Sequence, residues 1–193
     1  MKAELIINNT RLELGHKELN EISYALGDCK KAKDIFHELA QSPSTETRSK
    51  IASQKNLHRK TIKLLLSDSQ IEVMRTIIIR GKCISKMGKE DIDRFINTDD
   101  PEILTGLVNN MADLTEEYEV CEKDWICEKL YQQEDPSIRY ELAENDETPE
   151  FFLKKLLEDS DINVSQAAQD TLDGIEDANF DDEDDYDDDD VPM

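Results

Sequence analysis

The side chains able to do chemistry in this chain are carboxylates and cations, and they are sorted along it. Residues 1–94 carry 18 Lys/Arg against 13 Asp/Glu, whereas residues 95–193 carry 5 against 33, and the formal net charge is −23. The last 21 residues, Asp173 to Met193, hold 12 acids and no base, yet 95–172 alone still holds 21 acids against 5 bases. The polarity belongs to the body of the chain as well as to its tail. The chemistry it offers is long-range electrostatic recognition, and a partner with a basic surface is the expected counterpart.

The acidic candidates fall in two runs. One is the segment Glu116, Glu117, Glu119, Glu122 and Asp124, which also carries Tyr118 and Trp125; the other is the tail, Asp181, Asp182, Glu183, Asp184, Asp185, Asp187, Asp188, Asp189 and Asp190. An aromatic anchor inside an acidic rim suits a basic partner. The competing reading makes Tyr118, Cys121 and Trp125 a core stripe, and it is the expectation for Trp125, leaving Tyr131 and Tyr140 as surface anchors. The anion-binding candidates are Lys30, Lys31 and Lys33, then Arg59, Lys60 and Lys63, then Arg80, Lys82 and Lys86. Aligned in space they could track phosphates or an acidic protein. A solvated face is the favoured alternative, and no aromatics are interleaved for base stacking.

Other chemistries find little footing. His16, His37 and His58 are scattered, and no Gly-rich phosphate loop, G-x-S-x-G or H-E-x-x-H is present. Cys29, Cys83, Cys121 and Cys127 form no C-x-x-C pair, so reduced cysteines that partly fill a core are expected rather than a zinc site. No catalytic residue, cofactor or metal is expected. Lys2 is followed only by the short apolar stretch Leu5-Ile6-Ile7, and no apolar run approaches a membrane span. A cytoplasmic protein that uses no membrane is expected.

The elements that must position these charges are helices. Ala3–Ile7 and Arg11–Leu14 flank Asn8-Asn9-Thr10 and read as a hairpin, with a helical start as the alternative. From Gly15 the period becomes helical. Leu19, Ile22, Ala25 and Leu26 form one stripe, and Ala32, Ile35, Phe36, Leu39 and Ala40 a second. Beyond that a grammar recurs. Ser42-Pro43, Asp100-Pro101, Asp135-Pro136 and Thr148-Pro149 each read as a helix cap followed by proline at the first helical position, with Asp68 and Asp159 in equivalent places. Units therefore open at 42, 68, 100, 135 and 159, each long enough for two short helices. Arg48, Arg75 and Arg139 recur at matching positions, and Leu65-Leu66 and Leu156-Leu157 close two of the units. In the third unit Leu104 or Thr105 stands where Arg is expected.

Over residues 42–172 this pattern resembles HEAT-like repeats, in particular the short leucine-rich-repeat-variant type. The resemblance implies an all-α solenoid of antiparallel helix pairs and, in general, a protein-binding role. The three arginines then form either a ladder for anions or bridges to an Asp or a helix-terminal carbonyl of a neighbouring unit. The bridges are the favoured expectation. Asp173-Gly174 is expected to end the helical domain, which spans 15–172 after the 1–14 hairpin. The remaining 173–193 is expected to be a disordered acidic tail. Three roles follow: an adaptor for a basic partner; an inhibitor or immunity-type protein that mimics nucleic-acid charge; or a nucleic-acid binder working through its basic half and held back by its tail.

Overall fold

Asn8 and Asn9 adopt positive φ of 49° and 65°, the left-handed conformation that asparagine tolerates and that a tight hairpin turn requires. In the computed structural model, which describes residues 3–27, 29–80, 86–113 and 120–181, these two residues join β1 (Ala3–Ile7) to antiparallel β2 (Thr10–Leu14). The register pairs Ala3 with Leu14 and Ile7 with Thr10. The hairpin reading holds and the helical start does not. The rest of the described chain is mostly helical, and it divides into two compact units, Met1–Asp113 and Leu114–Met193.

In the first unit α1 (His16–Ala25) and α2 (Lys33–Leu39) precede α3 (Thr45–Ala52), α4 (Arg59–Leu66), α5 (Ile71–Ile79), α6 (Lys89–Ile96) and α7 (Pro101–Asn109). The first helices of successive pairs pack on one another, α1 on α3, α3 on α5 and α5 on α7, while α2 packs on α4. Phe36, Ile51, Leu65, Leu66, Ile78, Phe95, Ile103 and Leu107 are fully enclosed between them. The stripe predicted on α2 is buried except for Ile35, which is 48% exposed. On α1 the buried face is Leu19, Asn20 and Ser23 instead of the predicted apolar set, and Ala25 is exposed. The reason is polar: Asn20 Nδ2 donates to Glu46 Oε1 on α3 at 3.0 Å and Ser23 Oγ to the Asn20 carbonyl at 2.8 Å.

The second unit contains α8 (Val120–Tyr131), α9 (Pro136–Glu144), α10 (Glu150–Leu156) and α11 (Ile162–Asp181). Both α9 and α10 pack on α11, around Ile138, Leu142, Ala143, Phe152, Leu153, Leu156, Val164 and Ala168. The predicted break at Asp173-Gly174 is absent, because α11 continues to Asp181. A lone glycine costs a helix only about 1 kcal/mol. Here the turn before it is anchored by buried Ala168 and Leu172 and by the side-chain bonds Gln166–Asp170 and Gln169–Asp173. The expected disordered tail thus loses residues 173–181 to helix; its remainder, 182–193, lies outside the described residues.

The three phased arginines make the same bond. Arg48 Nε donates to Asp68 Oδ2 at 2.6 Å and its Nη2 to Oδ1 at 3.1 Å. Arg139 repeats this with Asp159 at 2.6 and 3.0 Å, and Arg75 grips Asp100 at 2.6 and 3.0 Å. Each arginine sits on the first helix of one pair, and each aspartate belongs to the turn that opens the next. The aspartate is also a turn-former. Asp68 accepts from the Gln70 amide, Asp159 from the Asp161 amide, and Asp100 caps α7 by accepting from the Ile103 amide. Arg48 and Arg139 additionally donate Nη1 to the carbonyls of Ser42 and Gln133, six residues earlier. A single offset therefore superposes Ser42, Ser44, Arg48 and Asp68 on Gln133, Asp135, Arg139 and Asp159.

The hydrogen bonds also correct two predicted caps. Ser42 does not cap α3. It accepts from the Ser44 amide at 3.2 Å, and Ser44 is the cap, accepting from the Thr47 amide at 3.3 Å. Thr148 donates to the Leu142 carbonyl at 2.7 Å, leaving Pro149 in the cap position of α10. Asp100 and Asp135 do cap helices with proline at the first position. In the third unit Leu104, at one of the two positions where Arg is expected, is buried, and a Cβ on the nearby Gly106 would lie 2.9 Å from Ile78 Cγ2, so α7 packs closely on α5.

The guanidinium of Arg139 holds the Asp159 carboxyl below the usual aspartate range, and Arg75 does the same for Asp100. At Asp68 burial pushes upward, but hydrogen bonds from Arg48 and from the Gln70 amide outweigh it, and the net direction is again down. A carboxyl depressed on folding adds stability that is complete above its unfolded pKa and is lost as pH falls through its folded one. Stability should therefore fall steeply below about pH 4. Arg139→Met should cost about 2–3 kcal/mol at neutral pH and flatten that acid dependence. Lys154→Met, which breaks only the exposed pair with Glu150, should cost under about 0.5 kcal/mol. Urea unfolding of the full chain at several pH values measures all three.

Candidate functional site

Local packing decides which charges remain available. Residues 120–181 contain 18 acids and 5 cations. Four of the five cations are held inside the second unit: Lys123 by Glu147 at 3.1 Å, Arg139 by Asp159 at 2.6 Å, Lys154 by Glu150 at 2.8 Å and Lys155 by Glu128 at 3.1 Å. The ammonium of Lys155 also lies 4.5 Å from the Phe151 ring centre, 5.0 Å from that of Phe152 and 5.4 Å from that of Tyr131, fastening α10 to α8. Tyr131 is therefore part of an internal cation–π site. The acid excess is left on the surface.

Its most defined part is the face of α9 and α11 around Tyr140. The ring is half-buried, and its hydroxyl donates to Glu144 Oε1 at 3.4 Å. The negative charge of Glu144, then the partial burial of the ring, then that same hydrogen bond, with smaller effects of Glu141 and Asp170, push the phenol above its usual value. A tyrosine kept protonated among three carboxylates has an apolar ring for stacking and a rim that attracts cations. On α11 the exposed Asp173, Glu176 and Asp177 continue the acidic surface. Sequence reasoning left Tyr140 as a surface anchor but missed its rim, because Asp170 joins Glu141 and Glu144 only through the packing of α9 on α11.

The predicted acidic residues fare unevenly. Asp124 is exposed on α8, Glu122 is on the same helix, and Asp181 ends α11. Glu116, Glu117, Glu119 and the tail acids Asp182, Glu183, Asp184, Asp185, Asp187, Asp188, Asp189 and Asp190 lie outside the described residues. Of the predicted stripe Tyr118, Cys121 and Trp125, Tyr118 and the Cys121 side chain lie outside the described residues and Trp125 is half-buried, whereas Ile126, Cys127 and Leu130 on α8 are fully enclosed. Cys127 fills core, as expected, and burial pushes its thiol up to about 12. Cys29 departs from the expectation and is exposed.

In the first unit two of the predicted basic clusters are brought together. His37 Nδ1 meets Thr61 Oγ1 at 3.1 Å and His58 Nε2 meets Asp34 Oδ1 at 3.3 Å, so the start of α4 lies against the start of α2. The segment with Lys31 and Lys33 thereby lies near the start of α4, which carries Arg59, Lys60 and Lys63. Lys30 opens the short turn before α2. None of Lys31, Lys33, Arg59, Lys60 and Lys63 has an ion-pair partner among the described residues. The third cluster is not part of this surface as described. Arg80 ends α5 and is exposed, Lys86 is half-buried and engaged, and Lys82 lies outside the described residues.

No group of three or more His, Cys, Asp and Glu side chains suited to a metal occurs among the described residues. No described helix is long and apolar enough to cross a membrane. Comparison of the chain with family models, with curated proteins and with solved structures returns no match.

Glu144→Gln should lower the ionisation midpoint of Tyr140 towards that of an ordinary tyrosine, because it removes the strongest charge opposing the phenolate. Lys154→Gln should leave that midpoint unchanged. An NMR pH titration of the Tyr140 ring signals in the full chain measures both.

Proposed function

We propose that this chain is a non-enzymatic protein-interaction module that receives a partner with a basic surface on its acidic C-terminal half. The observation that carries the reading is the engagement of four of the five cations of the second unit by its own acids. Such pairing leaves one sign of charge for a partner to meet, with Tyr140 as a stacking surface inside it. Attraction of this range speeds encounter and makes binding salt-sensitive. The acids of the tail extend the same field. The architecture we infer is a HEAT-like solenoid of helix pairs, supported by the packing of successive first helices and by the repeated Arg–Asp bond. A cytoplasmic setting suits the exposed thiol of Cys29.

A second reading rests on the unpaired cations of α2 and α4. In it the first unit meets nucleic acid, and the acids of the second unit and tail restrain or mimic that ligand. Competition with nucleic acid for a captured partner would mark the mimic.

The test is a salt-gradient pull-down with the full chain, with Glu141→Gln/Glu144→Gln/Asp170→Asn, and with a form ending at Asp181, the end of α11. The expected result is a basic protein retained by the full chain and released at lower salt from the triple variant. Retention no greater than that of an unrelated, equally acidic protein would overturn the proposal. Nucleic acid retained by the full chain and lost on Arg59→Gln/Lys60→Gln/Lys63→Gln would install the second reading.

A further inference from the structure

The first unit has a concavity that the acidic surface does not use. The C-terminal end of α3, the loop after it, and α4 and α5 enclose a groove of about 240 Å³. Ala52, Leu57, Ile62 and Ile77 give it an apolar lining, and Lys55 and Arg80 are its charged residues. Both cations are exposed, and neither has an ion-pair partner among the described residues. This sets them apart from Arg48, Arg75 and Arg139, whose charges are neutralised within the fold. Beyond Arg80 the neighbouring depression carries Glu72 and Glu102 together with Arg75, whose charge is met by Asp100 and Glu102. Ile79, 56% exposed, extends the apolar surface on that side.

We propose that this groove binds an acidic peptide segment of a partner protein, seating one bulky apolar side chain on Ala52, Leu57, Ile62 and Ile77 while its carboxylates pair with Lys55 and Arg80. The argument is complementarity of two kinds at one place. A wholly apolar ligand would leave the two cations facing it without a counter-charge. A bare polyanion would leave the apolar lining in water. A segment that alternates acids with an aromatic or branched side chain satisfies both, burying apolar area while forming charge-assisted hydrogen bonds. The site differs in sign and in unit from the acidic face, so it would survive the failure of the function proposed above.

A synthetic peptide with the sequence of residues 181–193 has this chemistry, since it interrupts its acids with Tyr186, Val191 and Met193. Titrated into the full chain, it should shift the methyl NMR signals of Ala52, Leu57, Ile62 and Ile77 saturably. Lys55→Glu and Arg80→Glu, both at exposed positions, should weaken binding at least about tenfold together, and so should replacing the peptide's Tyr, Val and Met by Ser. Absence of methyl shifts at about millimolar peptide would overturn the proposal. An oligonucleotide that moves Lys55 and Arg80 signals as strongly as the peptide, with no methyl shifts from either, would reduce the groove to a phosphate contact and also overturn it. If neutralising the tail acids in the full chain moves the same methyl signals without peptide, the groove is filled by this chain's own end, and a partner's segment is not its occupant.

Discussion

The bond on which the rest depends is the bidentate pair between an arginine of one first helix and the aspartate that opens the next pair. It acts at the least regular point of the chain, the turn between units. There the backbone amides at the start of a helix have no partner in the preceding turn, and the aspartate supplies one. A carboxylate doing this at 6–8% side-chain exposure would carry an unbalanced charge without the guanidinium. Turn and clamp therefore require each other. The aspartate shapes the entry of a helix, and the arginine makes its charge tolerable. The same arginines reach back to the carbonyls of Ser42 and Gln133, so one side chain fixes both ends of a repeat.

The series is interrupted once. In the third unit Leu104 or Thr105 stands where an arginine would, and Leu104 is buried. The boundary between the two units, at Asp113 and Leu114, falls after α7.

The part of this that could be read from sequence is the part written in types with one dominant use. Proline after aspartate marked two helix starts, and arginine at a constant phase announced its role, because a cation repeated once per unit has a neighbouring unit as its nearest partner. Ser42-Pro43 and Thr148-Pro149 misled because serine and threonine form turns as readily as caps, and only the backbone path distinguishes a residue at the cap from one two positions before it. Asp173-Gly174 misled because a glycine's cost is small beside the anchoring of a helix by Ala168 and Leu172, which is tertiary information. The rim around Tyr140 was illegible for a related reason. Glu141 and Glu144 are one helical turn apart, but Asp170 arrives from α11, and no spacing rule links them.

Burial divides the labour among residues of the same type. The carboxylates of Asp68, Asp100 and Asp159 are shielded and paired, so ionic strength reaches them weakly. The carboxylates of Glu141, Glu144, Asp173, Glu176 and Asp177 face solvent or nearly so, where every ion in the medium competes for them. Under the proposed function, structure and recognition would rely on one chemistry under two dielectric regimes, and salt would weaken a partner's hold more than it weakens the clamps. Lys123, Lys154 and Lys155, though not Lys129, are engaged in ion pairs among the described residues. A lysine left free among these acids would neutralise the surface at short range, whereas a lysine tied to Glu147, Glu150 or Glu128 strengthens the unit and leaves the field to the remaining carboxylates.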